Sequence, residues 1–170
     1  MAKSVRETFR VGSDPDLRGI DPRGRPIGPK DKTAAADAMT DLAPRLAGLQ
    51  DRLYAGATAG DPRAVLLVLQ GMDTSGKGGV ISHVAGLINP QGLHIASFKK
   101  PTPEERAHHF LWRIGRQVPA AGQIGVFDRS HYEDVLIARV HALAKPQVIE
   151  RRYSQINDFE KQIVLSLIHI

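Results

Sequence analysis

Apolar positions in this chain gather into short runs of two kinds, and the two kinds alternate. Ala64 to Leu69 is an unbroken apolar run of strand length. Such a run suits a strand covered on both faces of a parallel sheet. A second strand is predicted from Leu93 to Phe98, and Gly125-Val126-Phe127 closes a third that ends at Asp128. Elsewhere the apolar residues recur at helical spacing. Leu42, Leu46, Leu49 and Leu53 predict an amphipathic helix from about Thr40 to Tyr54. Pro44 is tolerable only near a first turn, which sets the start of that helix near Asp41. The leucine stripe is too short for a stable coiled coil and is expected in the core. Val80, Ile81, Val84, Leu87 and Ile88 predict a helix that stops by Asn89-Pro90. Pro103 opens another, expected to run through Arg116, with Glu104 and Glu105 complementing the dipole of its first turn. Two more follow, at His131 to Leu143 and Pro146 to about Val164.

Strands separated by helices imply right-handed crossovers and a parallel sheet with helices on both faces, a three-layer α/β sandwich. Residues 1–33 carry glycine, proline and mixed charge without an apolar period, and are expected to form an irregular arm before a domain at 34–164.

The junction after the first strand adds chemistry. Gly71-Met72-Asp73-Thr74-Ser75-Gly76-Lys77-Gly78-Gly79 lies between a buried strand and a helix, and two glycines bracket a turn that precedes a lysine. Backbone N–H groups of such a loop cradle phosphate oxygens, and the lysine neutralises the terminal phosphates. Gly71, Thr74, Ser75, Gly76, Gly78 and Gly79 are the expected phosphate-binding positions, and the fold becomes P-loop NTPase-like. The usual loop follows its lysine with a magnesium-binding Ser or Thr, but here Gly78 stands there. Asp73 is the compensating candidate.

Composition changes the picture little. The chain has 170 residues, 42% hydrophobic and 24% charged, with a net charge of +5 and no cysteine. Thiolate metal sites and disulfides are excluded, no apolar run approaches the roughly 20 residues of a membrane span, and the polar start lacks a signal-peptide core. A cytoplasmic protein is expected. The basic balance favours an anionic partner as much as it reflects ordinary surface charge.

A second motif, Phe127-Asp128-Arg129-Ser130, leaves the third strand at the sheet edge where parallel sheets bind ligands. Asp128 there can hold magnesium, directly or through water, and Arg129 can stabilise a transferring phosphoryl group. Adjacent His108 and His109 point in different directions and are expected to be surface or hydrogen-bonded residues. His83 is expected in the core or at the surface, and Trp112 between helix and sheet.

These blocks, together with Asn89-Pro90-Gln91-Gly92, Ser97-Phe98-Lys99, Pro101-Thr102-Pro103-Glu104-Glu105, Phe110-Leu111-Trp112-Arg113 and His131-Tyr132-Glu133-Asp134-Val135-Leu136, resemble the polyphosphate kinase 2 family, from about Ala34 to Val164. The resemblance implies magnesium-dependent phosphoryl transfer between inorganic polyphosphate and a nucleoside mono- or diphosphate. It implies that Lys77, Asp73 and Arg129 are catalytic, and that Asp73, Asp128 and Glu133 form the metal site. Lys99, Lys100 and Arg113 would lie along the polyphosphate track. The Ser130 to Asp134 block is most similar to members acting on nucleoside mono- and diphosphates, in which the position of Asp128 is often asparagine. A homo-oligomer is expected of the full-length form, and nucleic acid and membrane are not expected partners.

Leu165 to Ile170 departs from the family, which continues into a further strand and a basic lid helix. One reading frame of a transposase sequencing adaptor encodes this hexamer, so 165–170 is expected to be a non-native tail and the chain a truncated one, nearly inactive without its lid. Two other readings stay open: a phosphate-loop kinase of another small substrate, and a non-catalytic nucleotide- or polyanion-binding fragment.

Overall fold

A computed structural model describes residues 4–21 and 23–164. The chain separates into two compact units, Met1–Leu42 and Ala43–Ile170. The expected non-native tail at 165–170 lies outside the described residues.

In the first unit, helix α1 (Val5–Phe9) is closed by a capping box in which Ser4 and Glu7 bond each other's backbone N–H groups. A 3-10 turn follows at Leu17–Gly19. The arm is therefore not irregular throughout. Helix α2 spans Lys32–Thr58, its residues from Ala43 onward belonging to the second unit, and has Pro44 inside it, so it begins well before Asp41. Two local features outweigh the proline. Asp31 caps the start, its carboxylate accepting from Ala34 N at 2.9 Å, and four alanines at 34–36 and 38 carry the highest helix propensity.

The second unit is built on a three-stranded parallel sheet, β1 (Val65–Leu69), β2 (Leu93–Ser97) and β3 (Ile124–Asp128), in the order β1-β3-β2. Register is set by Val65 and Leu93 both lying opposite Ile124, and Leu69 and Ser97 both opposite Asp128. Helix α3 (Lys77–His83) follows β1 and continues into a 3-10 turn at Ala85–Leu87. His83 is exposed.

The single helix expected from Pro103 to Arg116 is broken. Helix α4 (Pro103–Ala107) ends at His108, whose backbone is extended at φ −108 and ψ 170, and helix α5 (Trp112–Gly115) starts four residues later. The interruption has a packing reason: it lets Phe110 and Leu111 turn inward while Ile114 fills the space under the sheet. Trp112 is not the residue between helix and sheet. It is half-buried between the His108 ring, stacked at 4.0 Å, and the Arg116 guanidinium. His109 is bonded to Gln155 at 3.2 Å. Helices α6 (Glu133–Val140) and α7 (Pro146–Val164) complete the unit.

Two apolar clusters meet at Leu111. One joins Leu66, Val68, Ala96, Phe98 and Phe127 of the sheet region to Ile114 and Phe159, with Phe98 and Phe127 edge to face at 4.9 Å. The other packs Val135 and Ala138 of α6 against Ile149 and Ile156 of α7. The opposite sheet face is less covered than an all-apolar run implies: Leu67 is 38% and Ile95 47% exposed, although Val126 between them is buried. Leu46, Leu49 and Leu53 of α2 line a loose cavity there with Val65 and Ile124, and Leu42 and Leu49 are half exposed. The leucine stripe is thus only partly core. No described helix is long and apolar enough to cross a membrane.

A polar knot joins α7 to the end of β3. His131, 2% exposed, shares Glu160 Oε1 with the Tyr132 hydroxyl, the imidazole Nε2 lying 3.1 Å away. Burial, then the Glu160 bond, pushes the Tyr132 hydroxyl up from its ordinary value. The bond from His131 holds the Glu160 carboxyl below the ordinary 4.5, with burial opposing and Tyr132 assisting. A lowered carboxyl pKa contributes stability above the unfolded value and loses it as pH falls through the folded one. Glu160→Gln is expected to cost about 1 kcal/mol at neutral pH, discounted for partial exposure. The deficit should shrink below pH 4.5, where wild type loses the same contribution. Urea melts across that range check this, and a deficit independent of pH would count against it.

Candidate active site

β1 and β3 are neighbours, so the two motif loops that leave them emerge side by side at the carboxyl edge of the sheet. The phosphate loop turns through Thr74 at φ 67 and Gly76 at φ 95, both left-handed. At Gly71 a Cβ would stand 2.8 Å from Ser75 Oγ, so a side chain there would displace the Ser75 hydroxyl. A Cβ on Gly78 or Gly79 would meet nothing within 4 Å, which leaves open space beside the start of α3. Lys77 reaches back across the loop, its Nζ donating to the carbonyls of Gly71 and Met72 at 2.8 Å each. The ammonium therefore sits over the mouth of the loop.

Arg129 is strained as well, at φ 65, a conformation costing on the order of 1–3 kcal/mol in a non-glycine residue. Its neighbours impose it. Arg129 N donates to Leu69 O and Phe98 N to Asp128 O, both at 3.0 Å. The strain has a geometric product: Arg129 Nη2 lies 2.6 Å from Asp73 Oδ1, joining the two motifs. Asp73 is 80% exposed, so this pair adds little stability and mainly sets position.

Lys99, Lys100, Arg113, Arg129 and Glu133 line one cavity of about 370 Å³, together with Asp134 and Arg152. Within it the side chains differ in freedom. Lys99 and Lys100 are exposed. Arg113 is 8% exposed and engaged, donating to Lys99 O at 2.8 Å, paired with Glu105 and Asp134 at 3.8 and 3.7 Å, and lying over the Phe98 ring. Its immediate partners are structural. Burial raises the Asp134 carboxyl above its ordinary value, while Arg113 and Arg152 oppose the shift.

The three expected metal carboxylates have separate partners. Asp73 bonds Arg129, Asp128 accepts from Ser97 Oγ at 3.3 Å, and Glu133 accepts from Gln70 at 2.6 Å. Among the described residues no group of three acidic, histidine or cysteine side chains could hold an ion alone. Magnesium does not need such a cage: one or two carboxylates plus substrate phosphates and water are its usual set. Asp73 and Asp128 offer hard oxygens on adjacent loops, so the residues present fit the ion.

Sequence reasoning passed over Gln70 and Ser130. Gln70 also accepts from Ser130 Oγ at 3.0 Å. The available signal was one polar side chain ending an apolar strand just before the phosphate loop.

A family model described as polyphosphate kinase 2 matches residues 29–170. An AMP/ADP-polyphosphate phosphotransferase of Meiothermus ruber is 43% identical over 157 residues, covering 91% of this chain and 57% of that protein. An ADP-polyphosphate phosphotransferase of Rhodopseudomonas palustris is 55% identical over 97 residues, 57% of this chain and 32% of that protein. The crystal structure of polyphosphate kinase 2 from Arthrobacter aurescens TC1 superposes with a TM-score of 0.90 at 49% identity, covering 99% of this chain and 62% of that one. The chain thus spans about three fifths of that structure and less of the two relatives' lengths. Over the part it spans, it belongs to the polyphosphate kinase 2 family.

Proposed function

We propose that the protein carrying this chain transfers phosphoryl groups between inorganic polyphosphate and a nucleoside mono- or diphosphate. The observation that carries this reading is the contact of Arg129 with Asp73 at 2.6 Å, which places a cation and a carboxylate beside the mouth of the Lys77 loop. The relatives' names, AMP/ADP- and ADP-polyphosphate phosphotransferase, support the substrate pair.

Phosphoryl transfer asks a protein for alignment and charge neutralisation more than for covalent chemistry. A terminal oxygen of the acceptor nucleotide attacks the terminal phosphorus of the donor chain. A P–O bond forms to the nucleotide, and the bridging P–O bond of the donor breaks, leaving polyphosphate one unit shorter. The loop amides and Lys77 hold the reacting phosphates, Lys77 exchanging its two carbonyl acceptors for phosphate oxygens. Arg129 stabilises the charge that develops on the equatorial and bridging oxygens. Magnesium, held by Asp73 and Asp128, would supply neutralisation of the phosphates' negative charge. Lys99 and Lys100 line the cavity next to Arg129 and would steer the polyanion.

The test supplies magnesium, an AMP or ADP acceptor and either polyphosphate or ATP as donor. Nucleotide formation with polyphosphate is expected. Transfer only from ATP, or salt-sensitive polyanion binding without transfer, would overturn the reading.

A further inference from the structure

We propose that Gln70 is a positioning residue: its amide fixes Ser130 and Glu133 against the phosphate loop and so sets where Arg129 stands. The inference rests on the functional reading above. Gln70 Nε2 donates to Glu133 Oε1 at 2.6 Å, and Gln70 Oε1 accepts from Ser130 Oγ at 3.0 Å. Ser130 is fully buried, and its Oγ also accepts from Tyr132 N at 3.2 Å. One side chain thus ties the residue just past β1 to both sides of the segment that enters α6.

The chemistry requires an amide. Glu133 as a carboxylate only accepts, so the NH₂ must face it, and the hydroxyl proton of Ser130 then needs the carbonyl oxygen. No other side chain of this length offers a donor and an acceptor on one planar head. Leucine would take the acceptor from the buried Ser130 hydroxyl proton and the donor from Glu133 Oε1, and glutamate would set carboxylate against carboxylate. Arg129 lies inside the bracket. On one side its N–H is bonded to Leu69 O, and on the other Ser130 is bonded to Gln70. A residue at φ 65 relaxes unless both flanks are fixed, and its guanidinium would then leave Asp73.

The experiment compares wild type, Gln70→Leu, Gln70→Glu and the reciprocal swap Gln70→Glu with Glu133→Gln, which rebuilds the amide–carboxylate pair in reverse. Gln70→Leu is expected to lower kcat about 10–100-fold, as a misplacement of about 1 Å does, with the polyphosphate KM within about twofold. Hydrogen exchange over 129–133 should quicken in both single variants. The swap should restore that protection and recover kcat at least about fivefold over Gln70→Glu, since its bridge is whole again. Wild-type kcat in Gln70→Leu would overturn the proposal, as would a swap no better protected than Gln70→Glu. If wild type performs no polyphosphate-dependent transfer, the functional reading has failed instead, and the exchange comparison alone decides whether the bridge positions this segment.

Discussion

Lys77→Ala is expected to lower polyphosphate-dependent transfer about a thousandfold or more, equivalent to roughly 4 kcal/mol of transition-state stabilisation. The ammonium reaches back across the phosphate loop, bonded to the carbonyls of Gly71 and Met72. In the proposed transfer, charge that moves between donor and acceptor phosphates would pass close to it, where a positioned cation acts at short range. The fold should change little, because most of the loop is exposed and the change removes two hydrogen bonds to loop carbonyls, one half-buried and one exposed. A steady-state assay beside a thermal melt separates the two effects. Residual activity above a tenth of wild type would move the role to Arg129, and loss of folding would make the assay a measure of stability.

Asp134→Ala is the variant with the largest expected effect on stability, about 3 kcal/mol. Asp134 lies between two arginines, its carboxylate 3.7 Å from Arg113 Nη2 and 3.7 Å from Arg152 Nη1, while its backbone carbonyl accepts from Arg152 at 2.7 Å. Burial makes its ionisation harder, with Arg113 and Arg152 opposing, and a buried ion pair is often no more stabilising than apolar residues of the same shape. Removing it alone is still costly, because Arg113 stays desolvated beneath the Phe98 ring. Arg113 keeps Glu105 and Lys99 O, which places the loss at the low end for a broken buried pair. In a domain of this size the melting temperature should fall by about 6–12 °C. Adding Arg113→Met should recover part of that loss. Strict additivity of the two changes would show that the charges are not coupled.

How far the sequence reached can be argued element by element. β2, β3 and α7 stand within a residue of where periodicity puts them, because each carries a full apolar pattern bounded by Gly, Pro or a charged residue. The interruption at His108 was not legible. Nothing between Pro103 and Arg116 forbids a helix, and only the demand of the sheet for Ile114 and of α7 for Phe110 breaks it. The early start of α2 was misread from Pro44, whose local cost is outweighed by the Asp31 cap and the alanines. Candidate site positions next to glycine or at strand ends could be named because phosphate chemistry leaves few residue types there, and the β1-β3 pairing brings their two loops side by side. Gln70 was not, since its role depends on partners 60 and 63 residues away that only the β1-β3 pairing brings near.

That strand order also governs when the sheet can exist on a ribosome. Among the described residues β1 and β2 do not pair with each other; each pairs with β3, Val65 and Leu93 both waiting for Ile124. At translation rates of about 5–20 residues per second, β1 emerges several seconds before its partner. During that interval Val65–Leu69 is an apolar segment with both edges open, the kind of unpaired strand that invites wrong partners.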